Sequence, residues 1–282
     1  MPGGVSTVVG TTLDSWKEAG VAADFRRDGV RPVLVGGDDP PRPHGVGMVW
    51  DVLRDVAAAR VADSGRQVLD IVDVGGGTGG LAVPFAALGH NVTVVDPSPD
   101  ALAAAQRRAA EAGARLTAVQ GEAASLDSVA GPKAADLVIC HNVLEYVDSP
   151  ADAMTAIAAV LRPSATVSVV AANAVAAVLH RAMAGRFTEA RQLLQAEGAA
   201  GTPRRFTLPA LTALVEGAGL RAGQTHGLAI FRGLVPGALL DGDAGEAGGS
   251  HGAEALRALE AAAAATPPLR DIAAQLHVLG HR

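Results

Sequence analysis

At 282 residues the chain is long enough for one large α/β domain, or for a domain with an elaboration. Hydrophobic residues make up 49% and aromatics only 3%, so a core must be built from alanine, valine and leucine rather than large rings. A net charge of −6, with no block of like charges, argues against indiscriminate nucleic-acid or membrane binding and leaves room for a local basic groove. Lys17 and Lys133 are the only lysines, so nearly all positive charge is arginine, the better fork for carboxylate or phosphate. Cys140 is the single cysteine, which excludes an intrachain disulfide and an all-cysteine metal site and reads as a small buried hydrophobe.

Residues 1–47 form an N-terminal segment and loop, with Trp16 and Phe25 set to pack on the main domain and proline and glycine concentrated in 36–47. The segment starts without a basic and apolar leader, and no later run reaches membrane-spanning length, so the expectation is a cytoplasmic protein with no membrane contact. A helix follows over 48–61, with Val49, Leu53, Val56 and Ala57 on one face and Trp50 as a core anchor. The run Val68-Leu69-Asp70-Ile71-Val72-Asp73-Val74 then breaks into Gly75-Gly76-Gly77-Thr78-Gly79-Gly80 and resumes as a helix over 81–88. Strands are predicted at 91–95 (ending in Asp96), 115–119, 136–140 and 166–170. Helices at 101–111, capped by Pro97-Ser98-Pro99-Asp100, and at 151–161 lie between them. This alternation predicts an α/β fold with a doubly wound, mostly parallel sheet whose strand ends share one edge. Residues 48–172 are its core.

Residues 173–207 break the alternation with helical sequence carrying His180, Arg181, Arg186, Arg191, Arg204 and Arg205, and are predicted to be a helical insertion over the strand ends. Five arginines face Glu189 and Glu197 there, a basic stretch in an acidic chain. Residues 208–282 complete the sheet, with a helix at 208–216, a mobile glycine-rich acidic loop at 237–252, a helix at 253–265 and a last edge strand at 276–279.

Gly75, Gly77 and Gly80 satisfy the G-x-G-x-x-G of dinucleotide sites. Asp73-Val74-Gly75-Gly76-Gly77-Thr78-Gly79 equally satisfies the D-x-G-x-G-x-G loop of class I S-adenosylmethionine (SAM) methyltransferases, which it resembles. A third reading is a strand–helix turn with no ligand. A carboxylate at Asp73 suits the cationic amino group of SAM, whereas a dinucleotide asks for amides aimed at pyrophosphate. Asp96 lies 21 positions beyond Gly75, where an acidic side chain accepts ribose hydroxyls in either ligand. The dehydrogenase reading lacks its chemistry. Tyr146, the only tyrosine, has Pro150 where a catalytic lysine would stand.

The resemblance becomes narrower downstream. His141-Asn142-Val143-Leu144-Glu145-Tyr146-Val147 looks like the H-A-V-L-E-W-V run of the bacterial tRNA 5-carboxymethoxyuridine methyltransferases. Asn173-Ala174, His180, Ala184-Gly185 and Phe187 match that family's N-A…H…A-G-x-F spacing, and Leu276-His277-Val278 is similar to its I-H-V. The resemblance implies a seven-stranded Rossmann-like sheet with SAM as cofactor. It assigns SAM to Asp73, Gly75, Gly76, Gly77, Asp96, Pro97, Glu122, Ala123 and His141. Glu122 would receive the adenine amino group, the Ala123 N–H would reach the ring, and His141 would meet the methionine part. Asn173, His180, Arg204 and Arg205 would hold an anionic substrate, the carboxylate of a modified wobble uridine in tRNA. Such a nucleophile is ionised already, whereas a phenol or amine would need His141 or His180 as base. No metal is implied, because the histidines show no ligand spacing. The chain departs from the family at Gly45, where a basic residue stands (Arg42 or His44 would have to replace it), and in the acidic loop. A methyltransferase of a small acid or natural product and a SAM-binding protein without catalysis are the alternatives. Oligomeric state is left open.

Overall fold

The computed structural model describes residues 47–195, 203–235 and 249–282. The expectations for 1–46, including Trp16, Phe25, Arg42 and His44, and for 237–248 lie outside the described residues. In chain order come α1 (Gly47–Ser64), β1 (Asp70–Val74), α2 (Ala82–Ala87), β2 (Asn91–Asp96), α3 (Pro99–Glu111) and β3 (Thr117–Gln120). Next are α4 (Leu126–Ala130), β4 (Ala135–His141), α5 (Pro150–Val160) and β5 (Leu161–Ala172). The insertion supplies α6 (Ala174–Met183) and α7 (Phe187–Gln195). Then follow α8 (Leu208–Gly217), β6 (Arg221–Leu228), α9 (Gly249–Ala263) and β7 (Gln275–His281). Among the described residues, no helix is long and apolar enough to cross a membrane.

Local chemistry sets the element starts. Ser98 and Ser149 accept the N–H of Ala101 and Asp152, and Pro99 and Pro150 fill first-turn positions where no N–H is needed. β1 and β4 are apolar without alternation because helices cover both their faces. On one face Trp50 and Leu53 of α1 and Phe85 of α2 pack on Ile71, Val94, Leu137 and Ile139, with the Trp50 and Phe85 rings 4.8 Å apart. On the other, Met154 and Ile157 of α5 and Leu211 and Val215 of α8 cover Val72, Val138, Cys140 and Val169. Each such side chain contributes about 1.5–3 kcal/mol by burial. Cys140 sits fully buried, and burial pushes its thiol pKa up.

The sheet has seven strands in the order β3-β2-β1-β4-β5-β7-β6. The first five pair in parallel, but β7 runs antiparallel to both its neighbours, so the sheet is mixed. Two expectations are corrected here. The last strand is interior, seated between β5 and β6, because its apolar residues are buried on both faces. The edge is β6, a strand with Gly223 and Gly227 in it that the residue pattern does not announce. A Cβ on Gly223 would lie 2.4 Å from the His281 ring, and one on Gly227 2.6 Å from the Arg270 carbonyl, so close approach requires both glycines. The predicted loop at 237–252 also ends early, since α9 begins at Gly249.

At the N-terminal edge of the sheet, Asp136 collects Arg60 (3.1 Å), Arg66 (2.6 Å) and Arg162 (2.9 Å) and accepts the Asp70 N–H at 3.0 Å. This cluster fastens α1, β1, β4 and β5 at the end away from the glycine turn.

Candidate active site

β1 ends in the glycine turn. The Gly75 N–H donates to the Val95 carbonyl at 2.7 Å, and Gly77 takes φ 53°, a left-handed conformation suited to glycine. A Cβ at Gly76 would lie 2.6 Å from the Asp73 carboxyl carbon, whereas one at Gly77 would meet nothing within 4 Å. The turn is thus packed below and open above. A Cβ at Gly75 would stand 2.3 Å from Val143, so the loop after β4 lies against the same turn.

Two carboxylates support it from one face of the sheet. Asp96, 8% exposed, accepts the Gly77 N–H on Oδ2 and the Ser98 N–H on Oδ1, both at 2.9 Å. Those bonds fix its plane and leave further lone pairs for two hydroxyls. Asp73 is buried under Gly76, and its pKa is pushed up to about 7. Burial is the main cause and the Asp96 charge adds to it, against a hydrogen bond from the Ala82 N–H. Among the described residues no arginine or lysine forms an ion pair with it. At the tip of β3, the Gln120 amide donates to the Pro97 carbonyl at 3.2 Å, joining the two strand ends. Glu122 is exposed there, and Ala123 is buried at the start of a short 3-10 turn.

This donor set fits SAM, with a carboxylate for the ribose, an uncompensated carboxylate for a cationic amino group, and an open glycine backbone between them. The remaining predicted residues are placed differently from one another. His141 ends β4, its Nε2 2.7 Å from the Ser168 hydroxyl, and burial lowers its pKa to about 3. Asn173 is committed to the backbone. It caps α6 through the Val175 N–H, donates to the Asp271 and Ala273 carbonyls, and is 2% exposed. Arg204 is likewise engaged, donating to the carbonyls of Val147 and Asp148, so the expected paired clamp with Arg205 does not form. Arg205 donates to the Pro203 carbonyl at 3.5 Å and exerts its charge on Glu145. The His180 ring stands against Gly233.

Sequence reasoning singled out none of Glu145, Ser168, His226 and His277 as candidate site residues. Glu145 is 5% exposed; its Oε1 accepts the Ala172 N–H at 2.7 Å, while the buried Oε2 has no partner among the described residues. Ser168 and His277 are fully buried polar residues within otherwise apolar strands, a break in pattern that is visible in Val167-Ser168-Val169 and Leu276-His277-Val278.

Comparison with known proteins agrees with the geometry. Residues 71–164 match the family model of a methyltransferase domain. Over that stretch the chain resembles the class I SAM-dependent methyltransferases. Within that class it is 33% identical over 129 residues to the tRNA 5-carboxymethoxyuridine methyltransferase of Escherichia coli K12, covering 45% of this chain and 49% of the relative. It is 36% identical over 171 residues to the ubiquinone biosynthesis O-methyltransferase of Methylobacterium nodulans, covering 57% and 64%. The chain thus spans about half to two thirds of the length of these relatives. The fold is shared with the magnesium protoporphyrin IX methyltransferase of Synechocystis PCC 6803 bound to S-adenosylhomocysteine, at TM-score 0.52, 16% identity and 83% of each chain.

Proposed function

We propose that this chain transfers a methyl group from SAM to a nucleophile held over the C-terminal edge of the sheet. The observation that carries the reading is Asp96, locked by two backbone N–H groups, one from the glycine turn itself, at the position of a ribose-binding carboxylate. Bound SAM supplies an activated methyl on its sulfonium. Asp96 accepts the ribose hydroxyls, Asp73 offers negative charge to the amino group, and Gly75, Gly76 and Gly77 let the backbone approach. Pro97, Glu122 and Ala123 border the adenine, His141 the methionine part. The insertion covers the acceptor and excludes water, so the chain's work is alignment in a dry site.

Two acceptor classes follow. A carboxylate on a tRNA uridine is supported by the 33% identical relative and by the arginines of the insertion, although Arg181 and Arg186 share Glu189 at 3.0 and 3.8 Å. A ring hydroxyl is supported by the 36% identical relative and by Met183 and Phe187, 62% and 71% exposed on the insertion. Thermal shift is the first test. SAM and S-adenosylhomocysteine should raise the Tm and NAD should not, with the shift abolished in Asp96→Ala; an intact shift in that variant removes the ribose assignment. Labelled methyl from SAM entering an acceptor fraction separates an enzyme from a SAM-binding partner protein, and entry into bulk tRNA separates the two acceptor classes.

A further inference from the structure

A line of hydrogen bonds crosses the sheet from the strand tips to its edge. His141 Nε2 on β4 lies 2.7 Å from Ser168 Oγ on β5, and Ser168 Oγ lies 2.9 Å from His277 Nε2 on β7. His277 Nδ1 in turn lies 3.0 Å from His226 Nδ1 on β6, the two rings stacked at 5.2 Å. Ser168 and His277 are 0% exposed, whereas His141 and His226 are both partly exposed. The buried middle therefore joins two ends that reach the surface, one beside the glycine turn and one on the edge strand. Strands this apolar gain nothing from a row of polar groups unless each is bonded, and each is.

The bonding order is consistent in two opposite directions, and the ring tautomers select between them. If His141 Nε2–H donates to Ser168, the serine hydroxyl donates to His277 Nε2, and His277 Nδ1–H donates to His226 Nδ1. Burial is the leading cause that holds all three rings below their ordinary pKa, helped at His277 by its two neighbours and at His226 by Arg270. None of them stores a proton at neutral pH.

We propose that His141, Ser168, His277 and His226 form the proton outlet of the methyl-transfer site, and that the acceptor is a hydroxyl, phenol or amine rather than a carboxylate. The proposal rests on the methyltransferase reading above. The acceptor oxygen or nitrogen forms its bond to the methyl carbon as the carbon–sulfur bond breaks, and the electron pair stays on sulfur. The acceptor's proton goes to His141 Nδ1, and the Nε2 proton moves to Ser168. The serine proton moves to His277 Nε2, the Nδ1 proton to His226 Nδ1, and the His226 Nε2 proton to water. A carboxylate arrives ionised and has no proton to export. Ser168 and His277 act as positioning residues, since neither meets the acceptor.

The test uses the full chain with methyl-labelled SAM, offered protein-free cell extract, bulk tRNA and 3,4-dihydroxybenzoate, which carries hydroxyls and a carboxylate in one molecule. Label should enter products that survive mild alkali. Release of the label as methanol marks an ester and overturns the proposal. Ser168→Ala should lower kcat for the same product roughly 100-fold with KM for SAM unchanged. His226→Ala, at a partly exposed position, should be slowed and then regain rate with added imidazole. Unchanged turnover in both variants also overturns the outlet. A SAM thermal shift on every sample keeps the two readings apart. No shift in the parent protein is a failure of the methyltransferase reading, whereas a shift with no alkali-stable product counts against the outlet alone.

Discussion

β1 carries one carboxylate near each end, and the two have opposite fates. Asp70 sits beside Asp136 among Arg66 and Arg162, at 2.7 and 2.9 Å. Burial works to raise its pKa, but hydrogen bonds from Arg66, Asn91 and Arg162 outweigh that and hold it below the usual range. Asp73, three residues on, is more deeply buried, meets another carboxylate instead of an arginine, and is raised to about 7. Both cannot be serving the fold alone. Carboxylates at the N-terminal edge are neutralised by the chain itself and act as a fastening. At the C-terminal edge Asp96 is held by two backbone N–H groups, and among the described residues Asp73 meets no cation, an arrangement suited to a cation supplied from outside.

The largest effect expected from this contrast lies at the fastening. Asp136→Ala leaves Arg60, Arg66 and Arg162 crowded around a vacated, fully buried position. Breaking a buried ion pair from one side costs about 3–5 kcal/mol. Urea denaturation should show a loss of that size, and a loss under 1 kcal/mol would mean the cluster fastens nothing. SAM should still bind to whatever fraction remains folded.

How far each edge is readable from sequence follows from the range of its contacts. The five parallel strands and the turn are legible because buried parallel strands are unbroken apolar runs and glycines end one of them abruptly. Asp73 and Asp96 are legible for the same reason, since both stand at strand tips that the topology must bring together. β6 is not, because Gly223 and Gly227 erase the strand pattern and only pairing with β7 makes it a strand. β7 is readable as a strand but not in its place, which depends on β5, about a hundred residues earlier. The place of Arg204 depends on a contact between loops, its guanidinium donating to the carbonyls of Val147 and Asp148 more than fifty residues earlier. The histidine line depends on registers between residues 27, 109 and 51 positions apart, which no short motif encodes.

Asp73 gives the next effect, and its sign can be worked out. Its folded pKa of about 7 lies above the ordinary carboxylate value, so between roughly pH 4 and 7 the folded state holds the additional proton. Stability of the ligand-free protein should therefore fall as pH rises through that window and level off above it, a change on the order of a few kcal/mol. SAM binding should run the other way. Below pH 7 the cationic amino group must expel the proton, so affinity should weaken up to about tenfold per pH unit and reach a plateau above. Asp73→Asn should flatten both profiles, matching or exceeding the parent's stability at pH 8 while binding SAM about tenfold more weakly. Melting curves and calorimetric titrations across pH 5–8 check both signs. A parent profile that rises with pH in the absence of SAM would show Asp73 to be paired after all.

Glu145 gives the smallest effect, because its environment is mixed. Burial raises its pKa, while the Ala172 N–H on Oε1 and the charge of Arg205 pull it back, and Oε2 is buried with no partner among the described residues. Glu145→Gln keeps an amide oxygen for the Ala172 N–H and removes a desolvated charge at the same volume. Because the folded pKa is raised, the parent's stability contribution is present at low pH and is lost as pH climbs through the folded value. The variant should accordingly match the parent near pH 4 and exceed it by about 1 kcal/mol or less at pH 8. A variant clearly less stable than the parent at pH 8 would mean the ionised carboxylate is compensated within the fold. Glu145 would then belong with Asp70 and Asp136 as part of the fastening, despite its place at the opposite edge.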